Sequence, residues 1–154
     1  MWPIKHRTVI VAVLTFFVLQ LWGVYALAEE AEEDKPFADK HVVLQISDED
    51  PGKQTLVLNV ANNLLKFYGP DRIDLEVVAF GPGLRLLLAE NENSTRIESL
   101  VGEGVRFSAC ENTIKAFTKA MGKEPQLNPH AVRVSAGVVR IIDLSEQGYV
   151  LIKP

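Results

Sequence analysis

The one cysteine of this chain is its best-placed reactive group, because it sits where the hydrophobic period changes. Before it, Val105, Phe107 and Ala109 alternate as in a strand; after it, Ile114, Phe117, Ala120 and Met121 recur at helical spacing. Cys110 therefore ends a strand and begins a helix. In an open α/β sheet that edge is where ligands bind, and the unpaired N–H groups of a helix start favour a negative charge. A thiol so placed ionises more easily than a free one, and the thiolate is the form that attacks sulfur or carbon.

Two considerations pull the other way. Free cysteines are among the most buried residues and are often inert packing. Glu111 sets a carboxylate beside the sulfur, which opposes ionisation and partly offsets the helix start. On position alone, a reactive thiol and a packed one both stand open.

The N-terminus reads as an address. Lys5 and Arg7 precede an apolar run over residues 9–28 that only Thr15, Gln20 and Gly23 interrupt, and Ala26-Leu27-Ala28 places small residues where a signal peptidase cuts. Residues 1–28 are expected to be a signal peptide or, being nearly long enough to span a bilayer, an N-terminal membrane anchor. Either way the rest is exported to the periplasm, with the basic end left inside. Residues 29–40 are acidic, contain Pro36 and lack periodicity, so an acidic linker is expected there. Residues 41–154 are the size of one domain. Without Lys5 and Arg7 the formal charge of −4 becomes −6, which argues against nucleic acid or an anionic membrane surface as partner. An exported chain with one cysteine makes no internal disulfide, so its thiol is buried, paired with another chain or kept for reaction.

The elements that must position Cys110 alternate along the chain. Residues 41–46 form a short branched apolar run, a strand buried on both faces. Asp50 suits an N-cap and Pro51 the first helical position; the next helix carries Leu56, Val60, Leu64 and Phe67 on one stripe and stops at Gly69-Pro70. Ile73, Leu75 and Val77 alternate in a second strand that ends in Gly81-Pro82-Gly83, a tight turn. Residues 84–90 read as a short helical piece, and Thr95-Arg96-Ile97-Glu98 as a capping box opening another. Asn93-Ser94-Thr95 matches a glycosylation triplet, a pattern that arises readily by chance, and is discounted. After the cysteine and its helix, which Gly122 closes, residues 130–134 read as a fourth strand. Val138, Ile141 and Ile142 mark a last helix that Gly148 caps, and residues 149–152 a fifth strand. Strand and helix alternating throughout predict a parallel sheet covered on both faces.

Three stretches, residues 107–113 (FSACENT), 77–84 (VVAFGPGL) and 147–154 (QGYVLIKP), together resemble the exported branch of the DsrE/DsrF-like family. The resemblance runs over nearly all of residues 41–154. It implies a three-layer α/β/α sandwich with a mainly parallel sheet of about five strands, assembled as a homo-oligomer, trimer or hexamer. It also implies a sulfur carrier or sulfurtransferase of a sulfur relay, in which Cys110 at the end of the third strand holds sulfur as a persulfide. The chain departs from the members that serve cytosolic relays in being exported and in having Glu111 beside the thiol.

Persulfide carriage needs an accessible, easily ionised thiol, donors for the added anionic sulfur, and surfaces for sulfur donor and acceptor proteins. The N–H groups of Asn112 and Thr113 suit the second need, with the backbone near Gly81 and Gly83 across the sheet edge. Two other readings remain: a non-catalytic oligomeric module whose cysteine packs inside, and a small-ligand pocket formed by Ser47, Gly81, Gly83 and Asn112. No cofactor is implied. Metal is not expected, since His41, His130 and Cys110 lack local ligand spacing. A thioredoxin-like reaction lacks a second, resolving cysteine. Membrane contact is expected only through residues 8–28, if these are not removed.

Overall fold

The computed structural model describes residues 35–154. The expected signal segment and the first part of the linker lie outside the described residues. In chain order the elements are β1 (Lys40–Ile46), α1 (Pro51–Tyr68), β2 (Ile73–Ala79), a 3-10 segment (Gly81–Leu87), α2 (Ser94–Gly102), β3 (Val105–Cys110), α3 (Glu111–Met121), β4 (Ala131–Val134), α4 (Gly137–Glu146) and β5 (Val150–Ile152). The five strands form one sheet in the order β4-β3-β2-β1-β5, and all four pairings are parallel. With helices on both faces this is the expected three-layer α/β/α sandwich. Among the described residues no helix is long and apolar enough to cross a membrane.

The two faces of the sheet differ in chemistry. Leu44, Ile46, Leu75, Val77, Phe107 and Ala109 point to one side, where α1, the 3-10 segment, α2 and Ile114 of α3 close a large apolar core. Among the described residues α4 alone covers the other side, through a small cluster of four buried residues, Val43, Val78, Ile141 and Leu144. The register aligns Val43, Glu76 and Arg106 across β1, β2 and β3. Because alternate residues share a face, Asp74, Glu76, Arg106, Ser108 and Cys110 all lie on the α4 side.

The local signals hold in part. Asp50 caps α1, its carboxylate accepting the Lys53 N–H at 2.9 Å, with Pro51 leading the helix. The buried stripe of α1, however, is Val57, Leu58, Ala61 and Leu65, while Leu56 and Phe67 are exposed. The helix carries two overlapping apolar rows, and the row nearer the middle of the apolar arc faces the sheet. In α4 likewise, Ile141 and Leu144 are inside and Val138 and Ile142 outside. The segment after β2 is a 3-10 turn from Gly81 rather than a helical piece over residues 84–90. The capping box does not form: α2 starts at Ser94 with Asn93 at the cap and no side-chain capping bond. There Asn91 holds the Asn93 N–H at 2.9 Å and accepts the Asn93 amide, so Asn93 is buried. Within the expected linker, Lys35 donates to the carbonyls of Pro70 and Ile73, both at 3.1 Å, and Asp39 N–H bonds Arg72 O, leading straight into β1.

Candidate functional site

Cys110 is the last residue of β3 and occupies the N-cap of α3, in extended conformation (φ −70°, ψ 116°). Its position at the C-terminal edge of a parallel strand is the one expected from the change of period. Carriage of sulfur calls for an uncovered thiol, and here the residue is buried instead, keeping 6% of its surface. Part of the cover is α4, whose first residue, Gly137, is buried and turns its N–H toward the sulfur. Gly137 fits because it has no side chain. A Cβ there would stand 3.0 Å from Phe80 Cβ and 3.1 Å from its ring, at the end of β2.

The sulfur thus lies between two helix starts, its own and that of α4. Burial pushes the thiol up, as it does any group that must acquire charge away from water. The Gly137 N–H, the Thr113 hydroxyl and the N–H groups of Thr113 and Asn112 outweigh it and hold the thiol below its ordinary value. In the resting state the sulfur makes no capping hydrogen bond to α3. These donors therefore act on the charge when it forms.

Thr113 links two residues that the sequence singled out. Its buried Oγ1 accepts the Gly81 N–H at 2.9 Å, so its one hydroxyl proton is left to donate toward the sulfur. Gly81 has φ +54°, a left-handed conformation that favours glycine, and this lets the turn after β2 aim its N–H across at α3. Asn112 contributes through its backbone, its side chain being exposed. Gly83 is buried against β1, where a Cβ would come within 2.4 Å of Ile46 O and 2.8 Å of Ser47 Cα. Gly83 and Ser47 thus fix the turn by close backbone packing. Ser47 Oγ accepts from Gln45 Nε2 at 3.4 Å.

Glu111, which the sequence sets against ionisation, is drawn to Arg133 of β4, whose Nη1 lies 3.1 Å from Oε1. Arg133 also pairs with Glu124. Its guanidinium offsets the charge next to the thiol.

Behind the sulfur on the same face runs a polar layer that the sequence reading did not find. Glu76 is fully buried. Its Oε1 accepts from Ser108 Oγ at 2.6 Å and Arg140 Nε at 2.9 Å, and its Oε2 from Arg140 Nη2 at 2.7 Å and Arg106 Nε at 3.2 Å. Burial alone would raise this carboxyl, but the Arg140 and Ser108 hydrogen bonds and the charges of Arg140 and Arg106 lower it. Arg106 also reaches Asp74 at 2.5 Å and Tyr149 at 3.1 Å. Burial and the Asp74 carboxylate push the Tyr149 phenol up to about 12. The sequence carries a signal for this layer: Asp74 and Glu76 on β2 alternate in phase with Arg106 and Ser108 on β3.

No protein-family model and no curated protein matches the chain. Among solved structures it is similar to MTH1491, a protein of unknown function from Methanobacterium thermoautotrophicum. The two share 32% identity with a TM-score of 0.67, over 75% of this chain and 100% of that one. At that identity and coverage, the chain belongs to the same family as the Methanobacterium protein.

Proposed function

We propose that this protein is an exported sulfur carrier, of the kind the DsrE/DsrF-like resemblance implies, in which Cys110 accepts sulfane sulfur and passes it on. The observation that carries the reading is the pair of helix starts and the Thr113 hydroxyl, which favour the Cys110 thiolate against its burial. The same donors suit the terminal sulfur of a persulfide, which is also an anion. In the loading step the thiolate attacks the outer sulfur of thiosulfate or of a donor persulfide. One S–S bond forms at Cys110, and the donor's S–S or S–SO3 bond breaks. The bonding pair leaves with sulfite or with the donor thiolate, so no outside oxidant is needed. Residues 1–28 deliver the protein to the periplasm. A second copy of the chain suits the apolar surface left on α4, where Val138, Val139 and Ile142 are each about half exposed, with Val132 of β4 exposed on the same side of the sheet.

The test is to incubate the purified protein with thiosulfate or a low-molecular-weight persulfide and weigh it intact. Wild type gains the mass of one sulfur atom and Cys110→Ser gains none. Wild type without added sulfur, or the same gain on Cys110→Ser, overturns the reading.

The 6% exposure of Cys110 favours a second reading, a non-catalytic oligomeric or small-ligand-binding module with the same fold. Its mark is a thiol that resists alkylation until the protein is unfolded, or a small molecule retained in native mass spectrometry.

A further inference from the structure

Resting on the sulfur-carrier reading, we propose that the buried Glu76–Arg140 ion pair is a positioning device that holds the first turn of α4 over Cys110. Both residues act through the Gly137 N–H and touch no reactant themselves.

Among the described residues the apolar footing of α4 is the buried cluster of Val43, Val78, Ile141 and Leu144, with Phe80 and Tyr149 packed against it, and packing of that kind is non-directional. The ion pair is directional. Arg140 presents Nε and Nη2 to the two oxygens of Glu76, at 2.9 and 2.7 Å, a two-pronged fit that fixes the plane of the guanidinium. The Arg140 N–H bonds Ala136 O at 3.0 Å, so the guanidinium and Gly137 belong to one closed turn. On the sheet side, Glu76 Oε1 also takes the Ser108 hydroxyl, and Ser108 precedes Cys110 by two residues on the same face of β3. One carboxylate therefore ties β2, β3 and α4 together immediately behind the sulfur.

Charge by itself makes a different forecast. The groups around the site are Asp74 and Glu76 on β2, Arg106 on β3, Glu111 on α3, Arg133 on β4, Arg140 on α4, and Glu124 and Tyr149 in the adjoining loops. Asp74 and Glu76 balance Arg106 and Arg140. Glu76→Gln removes a negative charge, so acting through space it eases thiolate formation. As the loss of an anchor it frees the α4 start and hinders thiolate formation. Arg140→Lys keeps the charge and loses the planar fork, so only the positioning role moves the thiol.

The experiment is a pH titration of thiolate ultraviolet absorbance in the folded protein, taken as the difference from Cys110→Ser, with circular dichroism to verify the fold. It needs no sulfur donor and no access to the sulfur, so its failure is distinct from failure of the carrier reading. The midpoint is expected to move upward in both Arg140→Lys and Glu76→Gln. An unmoved midpoint in Arg140→Lys, or a lowered one in Glu76→Gln, overturns the proposal. Should neither variant fold, Gly137→Ala displaces the α4 start through its contact with Phe80 while leaving the ion pair intact. It too must raise the midpoint, and an unchanged value there overturns the proposal.

Discussion

Replacing Thr113 by valine isolates one hydroxyl in the site. The two side chains have the same branching and nearly the same volume, so the packing of this buried residue is kept while Oγ1 is removed. Two interactions go with it. The first is the donor toward the Cys110 sulfur; a hydrogen bond to a charged group contributes about 1.5–3 kcal/mol, and about 1.4 kcal/mol is a tenfold change in a protonation equilibrium. At neutral pH the thiolate population, and with it the rate of iodoacetamide alkylation or of sulfur uptake from thiosulfate, should fall roughly ten- to a hundredfold. The second is the acceptor for the Gly81 N–H, held at 2.9 Å. A buried N–H left without a partner costs about 1–3 kcal/mol, which in a domain of this size lowers the melting temperature by roughly 3–10 °C. Thr113→Ser keeps the hydroxyl and separates the two effects from mere change of side chain. Its alkylation rate should stay close to that of wild type. If Thr113→Val reacts as fast as wild type, or Thr113→Ser as slowly as valine, the hydroxyl does not act on the sulfur and the reasoning fails.

Other expectations follow from the same geometry. Glu76 is lowered in the folded state, so its contribution to stability is complete above its ordinary 4.5 and is lost as pH falls below that toward the folded value. Chemical denaturation between pH 3 and 6 (roughly the range of carboxylate titration) should show this slope in wild type and a shallower one in Glu76→Gln. That variant should also lose about 3–5 kcal/mol at neutral pH, because Arg140 and Arg106 lose a buried partner. Gly83→Ala places a methyl 2.4 Å from Ile46 O, and its backbone neighbours yield little. Urea titration should find it destabilised by about 3 kcal/mol or left unfolded. Arg133→Ala releases Glu111 beside the sulfur, so the thiol should titrate higher. Since Arg133 is 44% exposed, the change in alkylation rate should be about twofold at low salt and vanish as salt is raised.

The fold was legible because strand and helix periods alternate cleanly and because Asp50 and Pro51 mark a helix start by local chemistry alone. The edge position of Cys110 was legible for the same reason: the change of period falls on it. Other features depend on what meets what in space. Ile73, Leu75 and Val77 alternate with Asp74 and Glu76, and that pattern is written equally well by a strand with one face in water. Here the polar face is buried, because β3 and α4 bring Arg106, Ser108 and Arg140 to it. The helix stripes were misplaced by about one residue in α1 and α4, where adjacent apolar residues leave the direction of the core undecided until the sheet is present. Gly137 carried no signal of its own, since its role is set by Phe80, more than fifty residues earlier. The sequence points to Thr113 through its amide at the helix start, whereas the link to Gly81 is made by its hydroxyl, which only the fold brings there.

The order of the sheet has a consequence for how the protein is made. β1 is the first strand to leave the ribosome and β5 the last of the five, yet they are neighbours, with Val42, Val43 and Leu44 paired to Val150, Leu151 and Ile152. Until β5 docks, one side of β1 is an open ladder of amides and carbonyls on an apolar strand, the kind of edge that recruits other chains. Among the described residues a three-residue strand closes it. Loss of those residues, or delay in docking them, should therefore show first as aggregation of folding chains and only afterwards as lost stability in the molecules that finish.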